Sequence, residues 1–81
     1  MDLNITEKNV LKALNHFKGK WVSTEDIYKF CITNRCKVNR SNIARAIKFL
    51  LSNNLIYEPN SQGKVKLNQA GIDVYDGFSH K

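Results

Sequence analysis

Arg40-Ser41-Asn42-Ile43-Ala44-Arg45-Ala46-Ile47-Lys48-Phe49-Leu50-Leu51-Ser52-Asn53 carries two stripes at once. Ile43, Ala46, Ile47, Leu50 and Leu51 fall at i, i+3, i+4, i+7 and i+8, which at about 100° per residue puts them on one side of an α-helix. Ser41, Arg45, Lys48 and Ser52 centre on the other side, flanked by Asn42 and Phe49. Asn39 is a suitable N-cap, Val38 and Ile43 have the spacing of a hydrophobic staple, and Asn53-Asn54 can close the helix because Asn tolerates the left-handed conformation. The spacing predicts a helix over residues 40–53 with an apolar face to bury and a basic, hydroxylated face to present.

Charge is gathered around this helix. The chain has 81 residues and a formal charge of +6. The window 27–57 holds Lys29, Arg35, Lys37, Arg40, Arg45 and Lys48 and no acid, while the remaining seven bases are matched by the seven acids. The whole excess therefore lies in one contiguous stretch, the footprint expected of a phosphate-facing surface.

Working outward, residues 6–18 read as a first helix, with Thr6 as cap, Ile5 and Val10 as staple, Val10, Ala13, Leu14 and Phe17 as buried stripe and Gly19 as stop. Trp21-Val22 is a short extended piece. Ser23 with Asp26 three residues on resembles a capping box and opens a second helix that buries Ile27, Phe30 and Cys31 and ends near Ile32. Residues 33–38 form a polar turn. After the third helix, residues 55–58 and 64–67 read as two strands about Pro59-Asn60-Ser61-Gln62-Gly63, with Val65 and Leu67 on one face and Lys64 and Lys66 on the other. A fourth helix begins at Asn68 and carries Ile72, Val74, Tyr75 and Phe78. Gly77 and Ser79-His80-Lys81 are expected to fray. Trp21, Phe17, Phe30, Tyr28 and Tyr57 are expected in the core, and Phe49 is expected to lie under a partner subunit or the hairpin.

The expected order is helix, short strand, helix, helix, hairpin, helix: an α+β, mostly α fold in a single domain spanning 1–81. Ser41-Asn42-Ile43-Ala44-Arg45, the apolar-patterned helix that follows and its end in Asn54-Leu55-Ile56 resemble the recognition helix and first wing strand of MarR-like winged helix-turn-helix regulators. Lys66-Leu67-Asn68-Gln69-Ala70-Gly71 resembles the Leu-Thr-x-x-Gly start of the helix after the wing. Trp21-Val22-Ser23-Thr24-Glu25-Asp26-Ile27 resembles the strand and cap before helix two. The size is similar to that of small winged-helix regulators of phages, archaeal viruses and plasmids, and the long terminal dimerisation helices of full-length MarR-like proteins are not visible.

The resemblance implies double-stranded DNA as partner, with the third helix in the major groove, where each base pair shows a distinct donor and acceptor pattern. Arg45 is the leading base contact, since its planar fork matches guanine O6 and N7. Ser41, Asn42 and Arg40 lie at the helix N-terminus, within reach of bases or phosphates. Lys48, Arg35 and Lys37 are expected on the backbone, and Lys64 and Lys66 on flanking backbone or minor groove. The spread of apolar residues around the fourth helix suggests a homodimer with a twofold mate. Two other readings use the same fold: a protein–protein adaptor, and a replication or partition factor of a mobile element. The acid-free window favours DNA over the adaptor.

Other classes find little support. No apolar run approaches a membrane span, no signal peptide is seen, and a cytoplasmic protein follows (host cytoplasm if viral or plasmid-encoded). Phosphate-binding loops, dinucleotide fingerprints, zinc-protease motifs and nucleophile elbows are missing, so no enzyme, catalytic residue or cofactor is expected. The domain is also expected to be too small for a pocket beside its core, leaving no small-molecule ligand. Cys31 and Cys36 are the only cysteines. Cys31 falls on a buried stripe, a disulfide across the turn is conceivable, and a zinc site would have to recruit His16 from helix one and His80 from the tail, so no metal is expected.

Overall fold

The computed structural model describes residues 2–79. Four helices follow one another: α1 (Ile5–His16), α2 (Thr24–Thr33), α3 (Arg40–Ser52) and α4 (Gln69–Ser79). α1 is the hub, packing against α2, α3 and α4, while α2 also packs on α3.

The first helix starts at Ile5, one residue before the predicted start, and its cap lies two residues before the predicted one. Asn4, not Thr6, is the cap: its Oδ1 accepts the Glu7 N–H at 2.8 Å, and the Glu7 carboxylate accepts the Asn4 N–H at 2.9 Å. This reciprocal box satisfies two of the orphan donors at the helix start and buries Glu7. It also leaves Ile5, read as half of a staple, exposed to solvent. Val10, Leu11, Ala13 and Leu14 then face the core, and the chain leaves α1 through Gly19 at φ +89°.

α2 begins at the expected box: Ser23 Oγ accepts the Asp26 N–H and Asp26 accepts the Ser23 N–H, both at 3.1 Å. It ends in a Schellman motif, with Cys36 N–H donating to Cys31 O at 2.8 Å and Arg35 N–H to Ile32 O at 3.0 Å. Arg35 occupies the left-handed position at φ +60°. α3 closes in the same way around Asn54 at φ +58°, with Leu55 N–H bonded to Leu50 O.

The α+β class and the two-stranded wing do not hold. Among the described residues there is no strand or sheet, only two isolated antiparallel bridges, Val22 with Val65 and Ile56 with Leu67. The cause can be read from the register. Tyr57 N–H donates to Lys66 O at 3.0 Å and Asn68 N–H to Leu55 O at 3.3 Å. Continuing that register puts Pro59 opposite Lys64, where the next rung needs an N–H that proline lacks. Asn60 donates to Lys64 O instead, at 3.0 Å, and its side chain accepts the Gln62 and Lys64 N–H groups. The ladder thus slips by one residue and becomes a turn. The short strand at Trp21-Val22 is likewise a single rung, Val22 and Val65 exchanging bonds of 2.9 and 2.8 Å.

These extended segments still close the core. Val22, Leu55, Ile56, Val65 and Leu67 join Ile27, Cys31, Ile43, Ala46, Ile47 and Leu50 in one buried cluster. α4 is capped by Asn68, whose Oδ1 accepts the Gly71 N–H at 2.8 Å and whose Nδ2 donates to Asn54 O at 2.7 Å. Ile72, Val74, Tyr75 and Phe78 are half-buried against the cluster. His80 and Lys81, read as part of a fraying tail, lie outside the described residues; Ser79 is the last residue of α4.

Candidate nucleic-acid interface

α3 presents its face as the pattern required. Asn39 Oδ1 accepts the Asn42 N–H at 2.8 Å, fixing the first turn, and Ile43, Ala46, Ile47 and Leu50 are buried. With that side anchored, Ser41, Arg45 and Lys48 are exposed together. At 100° per residue these three lie within about 60° of arc, a narrow stripe along the helix. Neither Arg45 nor Lys48 has an ion pair or hydrogen bond among the described residues, so both charged heads stand in water. The first turn carries no acid, and Ala44 beside Arg45 is exposed and adds no bulk.

Arg40 is different. Its Nε donates to Glu25 Oε2 at 3.0 Å and an Nη to Oε1 at 2.8 Å, a two-pronged pair across α2 and α3. The guanidinium also lies 4.1 Å from the centroid of the Tyr28 ring. Hydrogen bonding to Arg40 holds the Glu25 carboxyl below the usual carboxylate range and pushes the Arg40 guanidinium up. Arg40 is thus already partnered within the protein. Asn42 is half-buried. Arg35 and Lys37 are exposed on the turn that leads into α3.

Lys64 and Lys66 stand on either side of Val65, Lys66 between the two bridged residues and Lys64 just before them, and both are half-buried. Lys66 Nζ sits 5.8 Å from the Trp21 ring centroid and 5.7 Å from that of Tyr57. These two rings, read as core residues, are 39% and 49% exposed. Alternation held the signal: Val22 and Ile56 point inward, so their neighbours Trp21 and Tyr57 must point out. The Glu25 partnership could not be found that way, because it joins residues fifteen positions apart. Tyr28, Phe17, Phe30 and Phe49 are half-buried against the core.

Elsewhere, an open cleft of about 690 Å³ between α1 and α2 is lined in part by Lys12, His16, Lys29, Phe30 and Tyr75 and includes none of the basic and polar residues assigned above to nucleic-acid contact. Cys31 and Cys36 are both free thiols. Burial pushes the Cys31 thiol up to about 11, helped by the neighbouring Cys36. Among the described residues no three His, Cys, Asp or Glu side chains group as metal ligands, and no helix is long and apolar enough to cross a membrane.

No protein-family model and no curated protein matches the sequence. The structure is similar to that of the ferric uptake regulator from Francisella tularensis, solved with iron, with a TM-score of 0.72 and 17% sequence identity. The match covers 85% of this chain and 55% of that one, so the chain spans little more than half of its neighbour's length. At this identity the likeness is one of fold.

Proposed function

We propose that the chain is a sequence-specific double-stranded DNA-binding regulator of transcription that lays α3 in the major groove. The observation that carries this reading is the exposed, unpartnered stripe of Ser41, Arg45 and Lys48 on a helix whose other side is buried, inside the 27–57 window that contains no acid. Arg45 reads base edges through its fork, Ser41 and Asn42 add contacts at the helix start, and Lys48, Arg35 and Lys37 meet phosphates. Lys64 and Lys66 approach flanking backbone from the 57–66 turn. Arg40 joins only if it leaves Glu25. The shared fold with a ferric uptake regulator supports a regulator rather than an enzyme. The α3 sequence pattern resembles that of MarR-like regulators and the size resembles that of small regulators of phages, archaeal viruses and plasmids, which supports this reading, and the half-buried apolar residues of α4 offer a surface for a twofold mate.

Selection of bound duplexes from a random pool tests the reading. A recovered motif is expected, and Arg45→Ala should lose about 1–3 kcal/mol of discrimination at one position of it. Unchanged site preference in Arg45→Ala would remove α3 as the reading element. Absence of any salt-sensitive duplex binding would favour the adaptor reading instead.

A further inference from the structure

The two bridges fix the order of three extended segments. Val22 pairs with Val65 and Ile56 with Leu67, so residues 64–67 lie between the other two. Val22, Ile56, Val65 and Leu67 are buried. Their neighbours Trp21, Tyr57 and Lys66 therefore share the outer face, with Lys66 in the middle and a ring on either side. The ring centroids are 6.3 Å apart and the planes are inclined by 47°. Lys66 Nζ lies over both rings, 5.8 and 5.7 Å from their centroids, yet 39% of Trp21 and 49% of Tyr57 remain in water. Lys64 is on the same alternation as Lys66, and Lys20 precedes Trp21; the acid next to the rings in sequence is Glu58.

Flat π-faces set among ammonium groups suit a ligand that is itself planar and anionic by turns, which is the chemistry of a nucleic-acid strand: bases stack on the rings and phosphates meet the lysines. The spacing chooses the form of the strand. Stacked bases in a duplex rise about 3.4 Å per strand step, whereas the two rings are nearly twice as far apart. Bases resting on both rings must be unstacked from each other, which a paired duplex does not allow. We propose that the Trp21–Lys66–Tyr57 face binds an unpaired nucleic-acid strand, one base on each ring and the intervening phosphate at Lys66. The site shares Lys66 with the flanking-backbone contact proposed above, but it uses no residue of the α3 stripe and does not rest on the reading of that helix.

Trp21 is the only tryptophan, so its fluorescence reports on this face alone. The full chain is titrated at low salt with (dT)8, (rU)8, a duplex of equal length, heparin and poly-glutamate. The expected result is strong quenching by (dT)8, (rU)8 or both, weaker quenching by the duplex, whose backbone can meet Lys66 but whose paired bases cannot stack on the rings, and none by heparin, which has the charge without the bases. Quenching by the duplex equal to that by the strands would overturn the proposal. Tyr57→Ala should weaken strand affinity at least about fivefold, and Tyr57→Phe should restore it, because the face and not the hydroxyl is used. Circular dichroism confirms that each variant is folded. Absence of quenching by either oligonucleotide, equal quenching by heparin, or unchanged affinity in Tyr57→Ala would overturn the proposal. Quenching by poly-glutamate alone would overturn it in favour of an acidic protein partner. Duplex selection reads the α3 stripe and Trp21 quenching reads this face, so either site can fail without the other.

Discussion

Arg40 and Glu25 form a two-pronged ion pair, with bonds of 3.0 and 2.8 Å, that ties the start of α3 to the start of α2. Its position matters more than its strength. Both side chains are well exposed, and pairs of that kind add little to stability. What the pair does is remove one guanidinium from the set that could meet DNA. Glu25→Gln is therefore expected to tighten duplex binding and to steepen the dependence of log K on log salt by about one unit, as a further phosphate contact would. Arg40→Ala in the native background should change affinity much less than Arg45→Ala. Fluorescence anisotropy at two salt concentrations measures both. The acid side follows from the direction of the shift. A carboxyl held below its ordinary range keeps the pair at neutral pH and loses it as pH falls through the folded value, so the gain in Glu25→Gln should shrink in acid.

Arg35 sits at φ +60°, the left-handed position that glycine usually takes at this point of a Schellman motif. An L side chain there costs about 1–2 kcal/mol, and glycine would return part of that to the greater freedom of the unfolded chain. Arg35→Gly is thus expected to raise stability by up to about 1 kcal/mol by urea denaturation while lowering the salt slope of duplex binding by about one. A gain in stability with no change in the salt slope would take Arg35 out of the interface.

Local rules carried the reading of the helices, and tertiary relations decided the rest. The stripe on α3, the Asn39 cap and the Ser23–Asp26 box all came from spacing within one turn, and each is found in place. The start of α1 was legible too, since Asn4 followed by Glu7 has box spacing, but Thr6 and the Ile5–Val10 pair offered a competing cap and the longer reciprocal one won. The wing failed at a single residue. Alternation in 64–67 turned Val65 and Leu67 inward as found, yet Pro59 falls on a rung, and which residue faces Lys64 depends on a register the sequence does not state. The same alternation implied that Trp21 and Tyr57 face out. The expectation of core packing for both rested on spacing alone, and the bridged backbone turns them outward.

Cys31 and Cys36 should differ sharply as nucleophiles. Cys31 is fully buried, with its thiol pushed up to about 11, whereas Cys36 is partly exposed in the turn. Iodoacetamide at neutral pH is expected to label Cys36 and spare Cys31 until the protein unfolds, as read by peptide mass. The raised value also sets a stability window. The folded chain keeps the Cys31 proton above the pH where the unfolded thiol, near 9.0, gives it up. Its contribution is complete below about 9 and is lost as pH rises to about 11. Cys31→Ala should flatten the decline of stability across that interval, while Cys36→Ala, which leaves the burial of Cys31 in place and removes only the smaller contribution of its neighbour, should flatten it less.

Two glycines on α4 provide opposed outcomes for one substitution. Both lie within the helix, where alanine is favoured over glycine by about 0.8–1.0 kcal/mol. At Gly77 a methyl group meets nothing within 4 Å, so Gly77→Ala should stabilise the protein by up to that amount. At Gly71 the same methyl would run into the Leu55 carbonyl oxygen and the Leu67 side chain. Leu55 O accepts the Asn68 N–H, and Asn68 caps α4 and holds Asn54 at the end of α3. The helix cannot back away without loosening that junction. Gly71→Ala is therefore expected to cost about 1–3 kcal/mol despite the better helix propensity, a fall in Tm of roughly 4–8 °C for each kcal/mol. Thermal unfolding followed by circular dichroism measures both variants. Equal Tm shifts would mean that α4 does not pack against Leu55 as closely as its glycine implies.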